Sequence, residues 1–268
     1  MKLIRYFKIF LLHSQLTLEV KSLSFVWFLS SLLTPLLMLI FWSGATAAQG
    51  GSILSWNYSS FATYYLLVAL AGSLFIAHIE EDVATSDINR GELSVYLLKP
   101  MPYYGFKFIK ELPWRVLQGF FAFISIFLVF LFAPRLIQIT NSPLLLFLAI
   151  LMMIFAYLTS FSFKMCLGLI AFWFTEISGL MQITEIVLTL CGGVIVPLVF
   201  LPPGLKLFFD ILPFSYMVYY PIIALLGKLS YQSELTVIGI QMVWMCLFGV
   251  LYKFLWNSGR RKFTALGR

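Results

Sequence analysis

The chain has 268 residues, of which 61% are hydrophobic and 11% are charged, and its mean hydropathy is +0.96. An ordinary soluble domain is about 45–50% apolar and about 25% charged. A chain of this size cannot enclose so much apolar surface in one water-soluble core, which excludes a soluble enzyme, a disordered tail and a disulfide scaffold. The composition indicates an integral membrane protein.

The cysteines and histidines give no sign of a disulfide framework or a metal centre. Cys166, Cys191 and Cys246 all lie in apolar runs, and their odd number favours a role in packing. The two histidines, His13 and His78, are too few and too far apart in the chain for a histidine-based metal site. The net charge of +7 and the pI of 9.3 would suit nucleic acid in a soluble protein. Here we attribute them to membrane topology and expect no nucleic-acid partner.

The first 48 residues carry two patterns that concern the membrane. Residues 1–21 alternate apolar residues with Arg5 and Lys8, which predicts an amphipathic helix at the inner membrane interface; an extension of the first span is the alternative. Residues 23–42 are apolar and precede Ala45-Thr46-Ala47, which resembles a signal-peptidase site. Because the apolar run exceeds a signal core of about 7–15 residues, we interpret it as a retained first span.

Six stretches are apolar enough to cross about 30 Å of hydrocarbon, which needs roughly 20 residues. They are residues 23–42, 61–79, 113–133, 143–163, 177–201 and 235–256. No fixed-period repeat divides the chain, so we predict a single transmembrane domain over residues 1–268. The predicted fold is an all-α membrane protein with six transmembrane helices, an N-terminal interfacial helix, a short cytoplasmic helix and short outer re-entrant helices.

The positive residues predict how these spans are oriented. With both termini in the cytoplasm, fifteen of the eighteen Lys and Arg residues fall in inner segments. The three that fall outside are Arg135, Lys206 and Lys228. The excess of positive charge on one side therefore predicts that both ends of the chain are cytoplasmic.

Residues 80–112 form the longest inner segment and hold much of the charge. We expect Ser86 or Asp87 to cap a short helix, and Pro100 and Pro102 to end it. Apolar and charged residues are expected on different sides of this helix: Ile88, Val95 and Leu98 on one, Arg90 and Glu92 on another. Such a helix suits docking into a groove on a cytosolic partner, and a solvated loop is the alternative.

Residues 202–228 form the longest outer segment and are apolar, although four prolines interrupt them: Pro202, Pro203, Pro213 and Pro221. A fully solvated loop would not be this apolar. We therefore predict two short helices that dip into the outer leaflet, with the prolines beginning or breaking them. Backbone at that depth must be covered by protein or line a water-filled cavity.

The motifs of nucleotide-binding proteins and common hydrolases are missing from the chain. Gly227-Lys228 has neither the preceding glycine nor the following Ser or Thr of a phosphate-binding loop, and neither H-E-x-x-H nor G-x-S-x-G occurs. The sequence therefore predicts no ATP site, no metal site and no cofactor in this chain, which we expect not to be an enzyme by itself.

Charged residues inside spans are costly and are candidates for function. Lys164 and Glu176 are expected near the inner interface, with their polar ends reaching out of the apolar layer. Glu185 is predicted to lie deeper, near Gln182 and Thr184, where it either lines a translocation path or bonds to a neighbouring helix. Since no acidic relay runs through several spans, the sequence disfavours a proton- or sodium-driven carrier.

Two groups of short motifs carry a resemblance to a known family. The first is Asp87-Ile88-x-x-Gly91-Glu92-Leu93 followed by Leu97-Leu98-Lys99-Pro100. The second is Gly192-Gly193-Val194-Ile195-Val196-Pro197-Leu198, then Phe200-Leu201-Pro202 and Leu212-Pro213-Phe214. Together with the six-span order and the long outer segment, they resemble the permeases of bacterial type 2 ABC exporters over essentially the whole chain.

The resemblance implies the permease half of an ATP-driven exporter in the bacterial plasma (inner) membrane, moving a hydrophobic or amphipathic substrate. Its partners would be the lipid bilayer, a second permease, identical or related, and two copies of a cytosolic ATPase that carries ATP and Mg. The coupling helix would map to about Asp87–Lys99, with candidate residues Asp87, Ile88, Arg90, Gly91, Glu92, Leu93, Tyr96, Leu97, Leu98 and Lys99. The candidate extracellular gate is Pro197, Pro202, Pro203, Phe208, Pro213 and Phe214, and the candidate translocation path is Gln182 and Glu185.

Two other functions stay open on the sequence alone. One is a secondary carrier or channel that works without ATP, and the other is a membrane scaffold that transports nothing. The charged, proline-ended inner helix favours the exporter, because neither alternative requires such a helix.

Overall fold

The computed structural model describes residues 2–263, with side chains from residue 4 onward. Met1 and residues 264–268 lie outside that range, and so do the two ends of the predicted domain 1–268. Within the described residues the chain is almost entirely helical, apart from one short hairpin in which β1 (Ser52–Ile53) pairs antiparallel with β2 (Trp56–Asn57).

Eleven α-helices and one π-helix make up most of the described chain. The α-helices are α1 Lys2–Glu19, α2 Lys21–Ala48, α3 Tyr58–Leu74, α4 Leu93–Leu97, α5 Tyr103–Phe132, α6 Pro143–Leu169, α7 Ser178–Cys191, α8 Pro203–Ile211, α9 Pro213–Met217, α10 Tyr219–Leu225 and α11 Tyr231–Gly259. The π-helix is Asp82–Asn89, and single turns of 3₁₀-helix cover Pro134–Leu136, Ile170–Phe172 and Leu198–Phe200.

Four of the described helices are long and apolar enough to cross a membrane: α2, α5, α6 with its 3₁₀ extension to Phe172, and α11. A fifth crossing is possible if α8 and the α9–α10 pair count as one span, although the chain bends by 75° between them. The fold is therefore an all-α membrane protein with four or five candidate spans, and the predicted count of six is not confirmed.

The difference lies in the predicted spans 61–79 and 177–201. The first corresponds to α3, which has 17 residues and ends at Leu74. The second corresponds to α7, which has 14 residues and ends at Cys191. Beyond Cys191 the backbone turns at Gly193, where φ is +76°, so the following apolar residues do not continue α7. The hydropathy of residues 192–201 is high enough for a membrane span, but hydropathy depends on composition alone and carries no information about the turn at Gly193.

Helix α3 lies in the centre of the hydrophobic core, with most of its side chains buried. Asn57 caps its first turn by accepting a hydrogen bond from the Ser60 backbone N–H. Tyr64 and Tyr65 donate their hydroxyl protons to the carbonyls of Gly193 and Ile195, at 2.6 and 2.7 Å. The carbonyls of Gly193 and Ile195 lie in the irregular chain after α7 and accept no helical backbone hydrogen bonds, so the two tyrosine hydroxyls satisfy them instead.

Helix α11 packs along α6 and runs in the same direction. Gln241 of α11 lies beside Met152 of α6, and Trp256, further along α11, contacts Phe172 just beyond the end of α6. The fully buried Gln241 amide donates to the carbonyls of Met152 and Tyr216, at 3.0 and 2.8 Å. One side chain therefore joins α11, α6 and α9.

The segment 202–228 folds into α8, α9 and α10, three short helices where two were predicted. Pro203 and Pro213 occupy the first turns of α8 and α9, as expected for a residue that lacks a backbone donor. Helix α8 is largely exposed, whereas α9 and α10 are buried against α6.

Two of the long helices contain an internal proline. Pro35 lies within the 28 residues of α2, and Pro113 lies within the 30 residues of α5. Each proline removes one backbone hydrogen bond and favours a bend in its helix.

The buried hydroxyl of Tyr64 gives a direct test of how the chain after α7 is held. We expect Tyr64→Phe to lower the free energy of unfolding by about 1–2 kcal/mol, because it leaves the Gly193 carbonyl without its partner. Thermal unfolding in detergent measures the change. Tyr58→Phe, at an exposed tyrosine of the same helix, is the matched control, and an equal loss in both variants would contradict the assignment.

Candidate functional site

The predicted coupling helix is two separate pieces in the structure. The π-helix Asp82–Asn89 and α4 (Leu93–Leu97) are joined through Gly91, whose backbone lies in the left-handed region at φ +81°. Neither Ser86 nor Asp87 caps a helix, because the π-helix has already begun five residues before Asp87. The prediction of one helix capped at Ser86 or Asp87 is therefore wrong. The part of the predicted inner segment 80–112 that precedes α5, residues 80–102, is nevertheless helical for much of its length, and we call it the coupling segment.

Asp87 does not cap a helix because its carboxylate is bonded to α5. The Lys107 ammonium lies 2.5 Å from both Asp87 and Asp82, and the Tyr103 hydroxyl donates to Asp87. The side chains of Asp87 and Lys107 are completely buried. Lys110 adds a second contact to Asp82 at 2.8 Å, from the partly exposed edge of the cluster.

The two carboxylates of this cluster differ in pKa because their surroundings differ. Burial raises the pKa of Asp87 above its ordinary range, although Lys107 and Tyr103 act in the opposite direction. Burial acts in the same sense on Asp82, but Lys107 and Lys110 together outweigh it and hold the pKa of Asp82 below its ordinary value. Asp82 therefore stays ionised more readily than Asp87.

A second buried ion pair joins the coupling segment to α6 and α7. Lys164 of α6 donates to Glu80 at 2.6 Å and lies 3.2 Å from Glu185 of α7. The Lys164 side chain is 1% exposed, so the expectation that it reaches out to the interface is wrong. Glu176 is exposed, at the connection between α6 and α7, where it accepts a bond from the Ser178 backbone N–H.

A third cluster connects the end of α3 to α5. Arg115 pairs with Glu111 at 2.7 Å, and both side chains are buried. The Arg115 guanidinium also donates to the Ser73 carbonyl at 3.3 Å and lies 2.9 Å from His78 Nδ1. These three clusters, which we call the ionic network, surround the chain between α3 and α5.

Gly168 lets the coupling segment approach α6 closely. A Cβ atom added at Gly168 would lie 2.8 Å from Cβ of Val83 and 2.9 Å from the carbonyl oxygen of Glu80. Val83 is fully buried in the π-helix. The π-helix therefore packs directly on the backbone of α6.

Sequence reasoning missed most of the ionic network. Its members are far apart in the chain, as with Lys164 and Glu80, so no local spacing predicts the pairs. One signal was available. Lys107, Glu111 and Arg115 follow each other at intervals of four, which places them on one face of a helix and indicates a polar stripe on α5.

The ten candidate coupling residues divide into an anchored set and an exposed set. Asp87, Ile88 and Leu93 are buried, whereas Arg90, Glu92, Leu97 and Leu98 are exposed, and Gly91, Tyr96 and Lys99 are intermediate. Leu98 is 87% exposed, more than almost any other large apolar side chain described. The expectation that Ile88 shares a side with Val95 and Leu98 is wrong, because Ile88 packs inward while Val95 and Leu98 are exposed.

The two candidate path residues, Gln182 and Glu185, lie on an exposed stretch of α7. The Glu185 carboxylate is 48% exposed although it pairs with Lys164. Gln182 borders a polar cavity of about 380 Å³ between the π-helix and the connection that precedes α7. Asn89 closes one side of this cavity by donating to the Thr175 carbonyl at 2.8 Å.

The candidate gate residues also fall into two groups. Pro197, Pro213 and Phe214 are buried, whereas Pro202, Pro203 and Phe208 are exposed. Phe214 packs edge-on against Phe163 of α6. Helix α8, which carries Phe208, is tied to α10 by Asp210, which pairs with Lys206 and accepts a bond from Tyr220 at 2.8 Å.

Within residues 2–263, no group of three or more His, Cys, Asp or Glu side chains is placed to hold a metal ion. The titratable side chains at the coupling segment instead pair with each other, carboxylate to ammonium or guanidinium. This arrangement holds helices together and has the features of a mechanical connection.

Comparison with known families gives one match. Residues 32–267 match the family described as ABC-2 family transporter protein. The chain belongs to the ABC-2 transporter family. No curated protein matches this chain.

Membership of this family indicates what kind of subunit this ABC-2 permease is. The family's membrane permeases are non-catalytic transmembrane subunits and generally work with an ABC ATPase. Several apolar helices and the family match together indicate a multi-pass membrane protein. The match begins at residue 32, inside α2, so α1 lies outside it.

Lys107 is the position at which the ionic network of the permease is best tested. We expect Lys107→Gln to lower the free energy of unfolding by about 3–5 kcal/mol, because Asp82 and Asp87 lose a buried partner. Adding Asp87→Asn should recover part of that loss, since it removes the carboxylate left unpaired. Thermal unfolding in detergent of Lys107→Gln, Asp87→Asn and the double variant measures the coupling, with Lys253→Gln at an exposed lysine of α11 as control. Strictly additive losses would contradict a direct pair.

Proposed function

We propose that this permease is the membrane subunit of an ATP-driven exporter for a hydrophobic or amphipathic substrate. It would pair with a second permease, identical or related, and with two copies of a cytosolic ATPase. It would lie in a bacterial plasma membrane with both termini in the cytoplasm. The orientation is supported by the positive residues, since sorting them by the six spans predicted from the sequence places fifteen of eighteen in inner segments.

The proposal depends mainly on one observation: the coupling segment is buried on one side and exposed on the other. Its buried side is fixed to α5 and α6 through Asp87, Lys107 and Gly168. Its exposed side presents Leu98 and, elsewhere on the same segment, the charges of Arg90 and Glu92. Full burial of a leucine side chain is worth about 1.5–3 kcal/mol, so Leu98 suits a groove on a partner, with the charges pairing at the rim.

The ionic network supports transmission of a movement from this segment into the helices. An exposed ion pair contributes about 0–1 kcal/mol and breaks easily. Separating a buried pair leaves an unpaired charge and costs about 3–5 kcal/mol. Since Lys107 and Lys164 are buried, displacing the π-helix carries α5 and α6 with it. Glu185 extends the connection to α7.

ATP and Mg, bound by the partner ATPases, would supply the closing movement that displaces the coupling segment. In this proposal the substrate then passes along α7, past Gln182 and Glu185. The apolar side chains exposed on α7, including Leu180, Ile183, Ile186 and Leu190, support a hydrophobic or amphipathic substrate. The substrate then leaves through a gate formed by α8 and α9, which are joined by the bond that the Tyr216 hydroxyl donates to the Asp210 carbonyl, at 2.8 Å.

The test of the proposal is Leu98→Asp in the complete complex, with the permease co-expressed with its partner ATPase. We expect at least a tenfold loss of co-purified ATPase, since burying a new carboxylate without a partner costs about 1–3 kcal/mol or more. The amount of ATPase retained and the ATP-dependent transport in proteoliposomes measure the effect. Charge reversal at Arg90 and Glu92 should weaken both in the same direction.

Leu54→Asp, at an exposed leucine in the turn between β1 and β2, is the matched control and should leave both quantities unchanged. Unaltered ATPase binding in Leu98→Asp would contradict the docking surface. Substrate flux through the permease alone, without ATPase, would favour a carrier or channel. Normal assembly with no transport of any kind would favour a scaffold.

A further inference from the structure

Helix α1, the start of α5 and the chain just before α5 border two cavities that are open to the surface and share Tyr6 in their lining. The first has a volume of about 430 Å³ and is apolar, lined by Ile4, Tyr6, Phe7, Phe10 and Ile109. The second has a volume of about 340 Å³ and is lined by Arg5, Tyr6, Pro100, Met101 and Pro102. Because Tyr6 lines both, an elongated molecule can occupy the two cavities together.

The surroundings of the second cavity are cationic. Arg5 lines it directly, and Lys99 precedes Pro100, which forms its wall. Neither Arg5 nor Lys99 forms an ion pair with an acidic side chain among the described residues, and the same holds for Lys8, one turn further along α1. The Lys99 ammonium lies 4.3 Å from the rings of Tyr96 and Phe106. Positive side chains that form no ion pair are complementary to an anion.

The apolar side of α1 indicates that the ligand also has an apolar part. Ile4 and Phe7 are each 59% exposed, and Leu12 is 55% exposed. An apolar face next to unpaired cations is the pattern of a helix at the surface of an anionic membrane. A free phosphate would satisfy the charges and leave the apolar cavity unfilled, whereas a phospholipid satisfies both.

We propose that α1 and the start of α5 form a binding site for one anionic phospholipid, with an acyl chain in the apolar cavity and the phosphate between Arg5 and Lys99. The bound lipid contacts Pro100 and Met101, which join α4 to α5. It therefore braces the end of the coupling segment against α1. The site depends only on the contacts of this chain, so it stands or falls separately from the ATP-driven export proposed above.

The experiment uses the full chain, purified in a mild detergent and mixed with equal amounts of phosphatidylglycerol and phosphatidylcholine that have identical acyl chains. Native mass spectrometry measures how much of each lipid is retained. We expect the wild-type protein to prefer phosphatidylglycerol. Arg5→Gln with Lys99→Gln should lower retention of that lipid by about thirtyfold, as two charges at a membrane surface imply, and leave phosphatidylcholine unchanged.

The matched control is Lys253→Gln with Arg261→Gln, which removes one Lys and one Arg from exposed positions elsewhere and should not change the preference. Arg5→Lys with Lys99→Arg keeps the charges and should retain the lipid. Equal retention of the two lipids by the wild-type protein would overturn the proposal, whether or not the neutralised variant folds. An equal loss of phosphatidylglycerol from the control variant would also overturn the proposal. So would displacement of phosphatidylglycerol by inorganic phosphate at the same concentration as that lipid.

Discussion

A lysine ammonium buried away from water needs a carboxylate within bonding distance, and this requirement determines where the chain between α3 and α5 lies. Lys107 and Lys164 are both buried, on two different helices. Their partners, Asp82, Asp87 and Glu80, all come from the coupling segment. The segment cannot move away without exposing the lysines to an apolar environment unpaired. The positions of α4 and of the exposed Leu98 follow from those contacts.

The chain that follows α7 is held in position by hydrogen bonds between uncharged groups rather than by ion pairs. Between Cys191 and Pro203 the backbone has only one turn of 3₁₀-helix to satisfy its carbonyls. The hydroxyls of Tyr64 and Tyr65 bond two of them. In a membrane, non-helical backbone is tolerated only where protein covers it or water reaches it. The central position of α3 is therefore needed for the irregular chain to exist at all.

The sequence was sufficient for the parts of the fold that depend on local pattern. Apolar runs predicted α2, α5, α6 and α11 because each is a long helix with a lipid-facing side. Of the four prolines expected to begin or break short helices in the outer segment, Pro203 and Pro213 occupy the first turns of α8 and α9, where proline is favoured. Helical structure between α3 and α5 was also foreseen, although not as a π-helix followed by α4.

What could not be predicted depends on contacts between distant residues. The bond between Lys164 and Glu80 joins side chains 84 positions apart, and a single sequence carries no signal for such a pair. The length of the predicted span 177–201 was too great, because hydropathy has the same value for a helix and for an irregular chain of the same composition. The start of the coupling helix was misplaced because Asp87 suits a cap by residue type, while the buried Lys107 binds its carboxylate instead.

The length of α5 has a consequence for how force could travel through the molecule. Thirty residues at about 1.5 Å each make a rod of about 45 Å, whereas the hydrocarbon layer is about 30 Å thick. About ten residues must project beyond that layer, and the stretch that holds Lys107, Lys110 and Glu111 has this length and ends next to Pro113. Helix α5 therefore has a charged stretch before Pro113, in which Lys107 and Glu111 are buried against other parts of the protein, and a phenylalanine-rich stretch after it. The missing backbone bond at Pro113 favours a bend between the two stretches.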